Sequence, residues 1–195
     1  TGCSKESGDI SSASAATGKK RESALQILVP QASGSTVYGN EIVSIDASNT
    51  AEGYVMVQYS GSAAKIKLQI TIPDQTVYTY TLTGGSYETF PLTGGNGSYH
   101  LDILENVQDD LYALAFSQDM DVNISDEFKP FLYPNQYVWF TEDSQAVKLG
   151  RELSDKSLDD LSYVQNVYHY VIENIVYDDK KAENIPTDYL PNLDQ

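Results

Sequence analysis

Cysteine is almost missing from this sequence. The 195 residues contain one, Cys3, which rules out an intramolecular disulfide. Histidine is nearly as scarce: His100 and His169 are the two, and neither has a second His or a Cys near it at metal-ligand spacing. His169, between Tyr168 and Tyr170, reads as a packing or surface residue. Positive charge is the third shortage: 12 Lys and Arg stand against 28 Asp and Glu, a formal net charge of −16. Such a chain offers no electrostatic footprint to a phosphate backbone, which argues against nucleic-acid binding. It fits instead an acidic extracytoplasmic surface kept dispersed by self-repulsion. No metal-binding or cofactor-binding residues are assigned.

Apolar residues are not short. At 41% they suffice for a buried core over most of the length, and 195 residues make one medium domain, or one domain plus part of another.

The position of the lone cysteine matters more than its count. The start T-G-C-S-K-E-S-G resembles the processed end of a bacterial lipoprotein signal: small residues directly before a Cys, then a polar run. On that reading Cys3 is a lipid-attachment site and the chain is held at the bacterial cell membrane, each buried methylene contributing about 0.8 kcal/mol to anchoring. The other reading is a chance cysteine in a flexible tail. Residues 4–22 are rich in Ser, Ala, Gly and Lys without hydrophobic period, so 1–24 is expected to be an anchor site followed by a flexible tether. Lys19, Lys20 and Arg21 either touch anionic headgroups or are simply solvated.

From 25 to about 123 the hydrophobic period becomes two. Strands are expected over 41–47, 53–59, 64–72, 76–83, 87–92, 98–104 and 111–122, separated by turn clusters such as T-G-G-S and T-G-G-N-G. Ile66, Leu68, Ile70 and Ile72 alternate with Lys65, Lys67, Gln69 and Thr71, the signature of a sheet with one buried and one wet face. Seven short strands with no intervening helix predict an Ig-like antiparallel β-sandwich over 25–130, in a fold that is mainly β with α. Within it, G-N-G-S-Y-H-L-D-I-L resembles the late strand of extracellular sandwich domains. Tyr99 is then a corner residue whose hydroxyl finds a backbone partner.

Several stretches resemble chemical sites without meeting their requirements. Asp119, Asp121, Asn123 and Ser125 alternate as in a calcium loop, but Ile124 stands where the turn glycine belongs and Pro130 where the bidentate Glu belongs. Met120, Val122 and Ile124 suit a strand end instead. Asp178 and Asp179 point to opposite faces of an extended segment, poor geometry for paired acids, so Asp178 is expected to cap a turn. The 15 tyrosines suit half-buried strand faces; the sharper reading is a tyrosine-lined surface that binds glycan or peptide by stacking.

The aromatic, proline-stiffened P-F-L-Y-P-N-Q-Y of 130–137 places a boundary, and 131–195 reads as a helical segment. One helix is expected from Thr141 as N-cap to about Leu153. A second follows, with Ser157 as N-cap and an apolar stripe through Leu158, Leu161, Val164, Val167, Tyr168, Val171, Ile172 and Ile175. Together they make a C-terminal αα-hairpin whose stripe must pack on the sandwich or on something absent, followed by an extended piece and a loop.

The run Y-H-Y-V-I-E-N-I-V-Y-D-D-K-K-A, then Y-L-P-N-L-D, with V-W-F-T-E-D-S-Q-A-V-K-L-G-R-E-L before it, resembles the opening of a bacterial transglutaminase-like domain. The resemblance covers roughly 137–195. It implies papain-like Cys-His-Asp chemistry, in which a thiolate attacks a carboxamide or peptide carbonyl and an amine or water resolves the thioester. In that family the nucleophile, His and Asp all lie beyond this motif, so no catalytic residue is assigned here. The expectation is the N-terminal, non-catalytic portion of a membrane-anchored transglutaminase-like protein, with the sandwich as spacer or recognition module. The alternative is a stand-alone surface lipoprotein that binds cell-wall glycan or a surface protein.

Overall fold

The structure, a computed structural model, describes residues 26–186 and 189–191. Cys3, the expected tether over 1–24 and its basic cluster lie outside the described residues. Contacts divide the chain into two compact units: 150–177, and a larger one of 26–149 with the C-terminal residues from 178.

The larger unit is built on eight strands in two antiparallel sheets. They are β1 (Val37–Gly39), β2 (Val43–Asp46), β3 (Tyr54–Tyr59), β4 (Ile66–Thr71), β5 (Val77–Leu82), β6 (Glu88–Pro91), β7 (Gly97–Gln108) and β8 (Leu111–Val122). One sheet has the order β1-β2-β3-β6 and the other β5-β4-β7-β8. The alternation read from the sequence sets the faces: Ile66, Leu68 and Ile70 are buried between half-exposed Lys67, Gln69 and Thr71. A single apolar cluster draws on both sheets, with Val43, Ile45, Val55, Val57 and Phe90 from one and Leu68, Ile70, Leu101 and Ile103 from the other. Fully burying each such side chain contributes about 1.5–3 kcal/mol, so this cluster dominates the stability of the unit.

Seven of the eight strands fall where the sequence placed them, within a few residues at each end. β1 was not expected, because three residues ending in glycine carry no period. It pairs with β2 in the register Val37↔Asp46 to Gly39↔Ser44.

One side chain ties the sheets at their margin, and another fixes the corner that enters β7. Asn40 Nδ2 donates to the Ala115 carbonyl 3.0 Å away, joining the β1–β2 turn to β8. Tyr99 is buried at the start of β7, and its hydroxyl donates to the Gly95 carbonyl at 2.8 Å. Burial pushes the Tyr99 hydroxyl up to about 12, so it stays a donor throughout the physiological range.

β3 departs from simple alternation. Tyr54 to Val57 are all buried, because the face of β3 turned away from the shared core is also covered. There Tyr54 and Met56 form a second apolar cluster with Tyr133, flanked by Leu28 and Tyr87.

Three helices follow: α1 (Gln145–Asp155), α2 (Asp160–Asn174) and α3 (Asp179–Glu183). α1 begins later than Thr141, whose N–H instead donates to Ser144 Oγ at 3.0 Å in the turn before the helix. The cap of α2 is Asp159, not Ser157. Its carboxylate accepts from Ser162 N at 2.7 Å while Ser162 Oγ accepts from Asp159 N at 3.0 Å, a reciprocal capping box. Ser157 serves the end of α1, donating to the Leu153 carbonyl at 2.6 Å and accepting from Asn166 Nδ2 at 2.9 Å. The expected stripe is present and is not covered within its own unit. No residue of α2 is buried, and Leu158, Leu161, Val164, Tyr168, Val171, Ile172 and Ile175 are 42–81% exposed. The extended piece after α2 is followed by the one-turn α3 instead of a plain loop. Asp178 caps it, accepting from Lys181 N at 2.9 Å, and Lys180 and Lys181 sit favourably in its last turn.

Replacing Tyr99 by Phe keeps the buried ring and removes one hydrogen bond. Urea denaturation followed by near-ultraviolet circular dichroism is expected to show a loss of about 1 kcal/mol. An unchanged midpoint would show that the hydroxyl contributes nothing to the corner.

Candidate functional site

The segment 128–139, F-K-P-F-L-Y-P-N-Q-Y-V-W, is built onto the two-sheet unit by a series of specific contacts. A 3-10 turn at Lys129–Phe131 starts it. Gly53 has a φ of +82°, and a Cβ there would collide with the Pro130 ring, so only glycine fits both the backbone and the neighbour. Lys129 Nζ lies 2.5 Å from Glu52 Oε1, and the Tyr133 hydroxyl donates to Glu52 Oε2 at 3.1 Å. The Lys129 ammonium holds the Glu52 carboxyl below the usual carboxylate range. Both groups are partly exposed, so after solvent screening the pair contributes at most about 1 kcal/mol. The Tyr133 ring packs 4.6 Å from that of Tyr54, and this burial is the stronger tie.

Asn135 then folds the chain back. Its Oδ1 accepts from Tyr137 N at 3.0 Å and Val138 N at 3.2 Å, while its own N–H donates to the Val138 carbonyl at 3.1 Å. This turn aims Gln136 at the margin where β5 of one sheet meets β6 of the other. Gln136 Nε2 donates to the Thr81 carbonyl and to Glu88 Oε2, the latter at 3.2 Å. Glu88 Oε1 accepts from Thr83 N at 2.8 Å. Gln136 Oε1 is buried without a hydrogen-bond partner, the one such side-chain atom among the described residues.

Two clefts flank this crossing. The first, of about 540 Å³, lies between Tyr87, Glu88 and Thr89 on one side and Gln136, Trp139, Thr141 and Ser144 on the other, with Leu190 and Pro191 at its rim. Trp139, the only tryptophan, is 55% exposed there. The second, of about 560 Å³, is lined by Tyr78, Tyr80, Phe131 and Tyr137. Tyr137 stacks at 5.7 Å on Tyr80, which in turn meets the core residue Phe90 at 5.1 Å.

Of the strand tyrosines, Tyr54, Tyr59, Tyr80 and Tyr99 are buried and Tyr38 and Tyr112 half-buried, whereas Tyr78 of β5 is exposed in the second cleft together with Tyr137 of the 128–139 segment. The exposed aromatic surface therefore comes from β5 and the 128–139 segment together, and not from a row along one strand.

A second constellation lies on the outward face of β7 and β8. The register sets His100 opposite Asp119 and Asp102 opposite Ser117. His100 Nδ1 is 2.6 Å from Asp119 Oδ1, and Nε2 is 3.1 Å from Asp102 Oδ1 and 3.2 Å from Ser117 Oγ. Ser117, His100 and Asp119 thus follow the bonding order of a nucleophilic triad. The electrostatics point elsewhere. The hydrogen bond to Asp119, aided by Asp102, raises the His100 pKa, which favours an imidazolium whose two N–H groups serve two carboxylates. With its partners on both strands, the cluster clasps β7 to β8.

The remaining sequence candidates resolve as structure. Met120 and Val122 are core residues at the end of β8, and Ser125 donates through both its N–H and its hydroxyl to the Ala51 carbonyl at 2.9 and 2.8 Å. His169 meets the Tyr168 ring edge-on at 6.0 Å. Cys3 lies outside the described residues. Among those described, no group of three or more His, Cys, Asp or Glu is arranged to hold a metal, and no helix is long and apolar enough to cross a membrane. Gln136 and Trp139 are not singled out by the sequence; the available signal is one tryptophan directly after the aromatic, proline-stiffened boundary of 130–137.

Because the folded pKa of His100 is raised above its unfolded value of 6.5, its stabilising contribution is complete below about that pH and is lost as pH rises through the folded pKa. NMR titration should give a His100 midpoint above 6.5, falling toward it in Asp119→Asn. A midpoint indifferent to that substitution would contradict the clasp.

No protein-family model, curated protein or solved structure matches this chain.

Proposed function

We propose that the chain is the non-catalytic portion of an extracytoplasmic transglutaminase-like protein, held at the bacterial membrane by a lipid on Cys3. The two-sheet unit serves as an Ig-like sandwich that spaces or recognises, and α1 and α2 form an αα-hairpin leading into the enzyme domain. The strand order supports the Ig-like reading, since β3 to β4, β5 to β6 and β6 to β7 each pass from one sheet to the other. So does the Tyr99 corner, with its hydroxyl returned to the Gly95 backbone.

The observation that carries the reading is the stripe on α2. A 15-residue helix whose apolar face is left largely exposed by its own unit contributes little to its own stability and is explained best as one wall of a larger core. The transglutaminase-like resemblance over 137–195 supplies that core. In such a protein the thiolate, its histidine and the acid come from the enzyme domain, while Cys3 belongs to the anchor. The second reading, a stand-alone surface lipoprotein that binds through its sheets, is favoured by the aromatic clefts beside Gln136.

Intact-mass measurement of the native protein, recovered from source-cell membranes with an antibody to the sheets, separates these readings. The proposal expects a mass well above 21.5 kDa plus lipid. A mass of 21.5 kDa plus lipid would favour the stand-alone lipoprotein, and a protein without lipid would overturn the anchor.

A further inference from the structure

The Trp139 cleft is unusual for this chain in its charge. Of the ten residues lining it, one is ionisable at neutral pH, Glu88, in a protein of net charge −16. Glu88 is already engaged on both oxygens, by Thr83 N and by Gln136 Nε2. Those bonds already hold and partly neutralise the single carboxylate, which leaves no free anionic group to select a cation, and an anion would be repelled by the chain as a whole. What remains is an uncharged polar surface, the hydroxyls of Ser86, Thr89, Thr141 and Ser144, next to the half-exposed face of Trp139.

Tyr87 and Tyr137 are held in place before any ligand arrives. The Tyr87 hydroxyl shares a 2.7 Å hydrogen bond with Ser44 Oγ, and Tyr137 rests on Tyr80. Gln136 lines one cleft and Tyr137, the next residue, lines the other. The two clefts lie on either side of the Gln136 crossing, and a ligand that uses both Trp139 and Tyr137 spans it.

We propose that this margin of the two-sheet unit binds a neutral glycan chain, stacking sugar faces on Trp139 and Tyr137 and bonding hydroxyls to the polar wall. The inference rests on reading the sandwich as a recognition module. Sugars combine apolar C–H faces with neutral hydroxyls, which is the pairing the clefts present. A peptide would add to the free edge of β5 through its backbone, but the Thr81 carbonyl on that edge is already taken by Gln136.

Trp139, as the only tryptophan, reports directly on the site. Titration of the intact chain with cellohexaose and chitohexaose is expected to change its emission saturably, with a dissociation constant on the order of 10–100 μM for at least one of them. Tyr137→Ala retains the reporter and should weaken that binding by about fivefold or more, roughly 1 kcal/mol of lost stacking. Calorimetry on Trp139→Ala, an exposed position that should fold normally, is expected to show binding lost. No saturable change with either hexasaccharide at millimolar concentration would overturn the inference, as would a response confined to peptides. The peptide-only result would leave the recognition role standing, whereas loss of the anchor or of the enzyme domain is read from native mass and does not depend on this titration.

Discussion

Each sheet of this protein has one apolar face, and the rest of the structure follows from having to bury it. Val55, Val57 and Phe90 from one sheet meet Leu68, Leu101 and Ile103 from the other in a single cluster, and the strand crossings keep both sheets in that contact. Once β3 lies at the centre of its sheet, its outer face is large and apolar as well. Tyr54 and Met56 stand there, and water is a poor neighbour for them. Tyr133 covers that face, which fixes where the 128–139 segment runs and brings Gln136 to the β5–β6 margin. The clefts are thus a consequence of how β3 is covered.

Charge has a smaller and more local role. With 28 acidic residues against 12 basic, most carboxylates have no basic partner to meet. Two close pairs sit at junctions: Lys129 with Glu52 where the aromatic segment leaves β8, and His100 between Asp102 and Asp119 across β7 and β8. Each is partly exposed and contributes modestly, but each sets a register or a direction that apolar packing alone leaves open. The neutral lining around Trp139 stands out against this background.

The strands were legible because alternation in runs such as Ile66 to Ile72 states which side chains face inward. The continuous apolar run Tyr54 to Val57 carried a further signal, burial on both faces, that a search for alternation passes over. The cap of α2 was misplaced by two residues, since Ser157 and Asp159 are both good caps and only the position of Ser162 decides between them. The docking of 128–139 was not legible. It depends on Tyr133 meeting Tyr54 and Gln136 meeting Thr81, contacts 79 and 55 residues apart that no local pattern encodes. The tyrosine-lined surface anticipated from composition corresponds only in part, because four strand tyrosines are interior and the exposed platform includes a tryptophan.

The 128–139 segment is a built part of the two-sheet unit and not a connector. Amide hydrogen exchange is the measurement that decides this, because Leu132 N donates to the Lys129 carbonyl and Phe131 N to the Phe128 carbonyl within that segment. These amides, and those of Tyr137 and Val138, are expected to be protected by several orders of magnitude over a free chain and to lose protection together with β3. Exchange at the rate of an unstructured linker, while β3 stays protected, would contradict it.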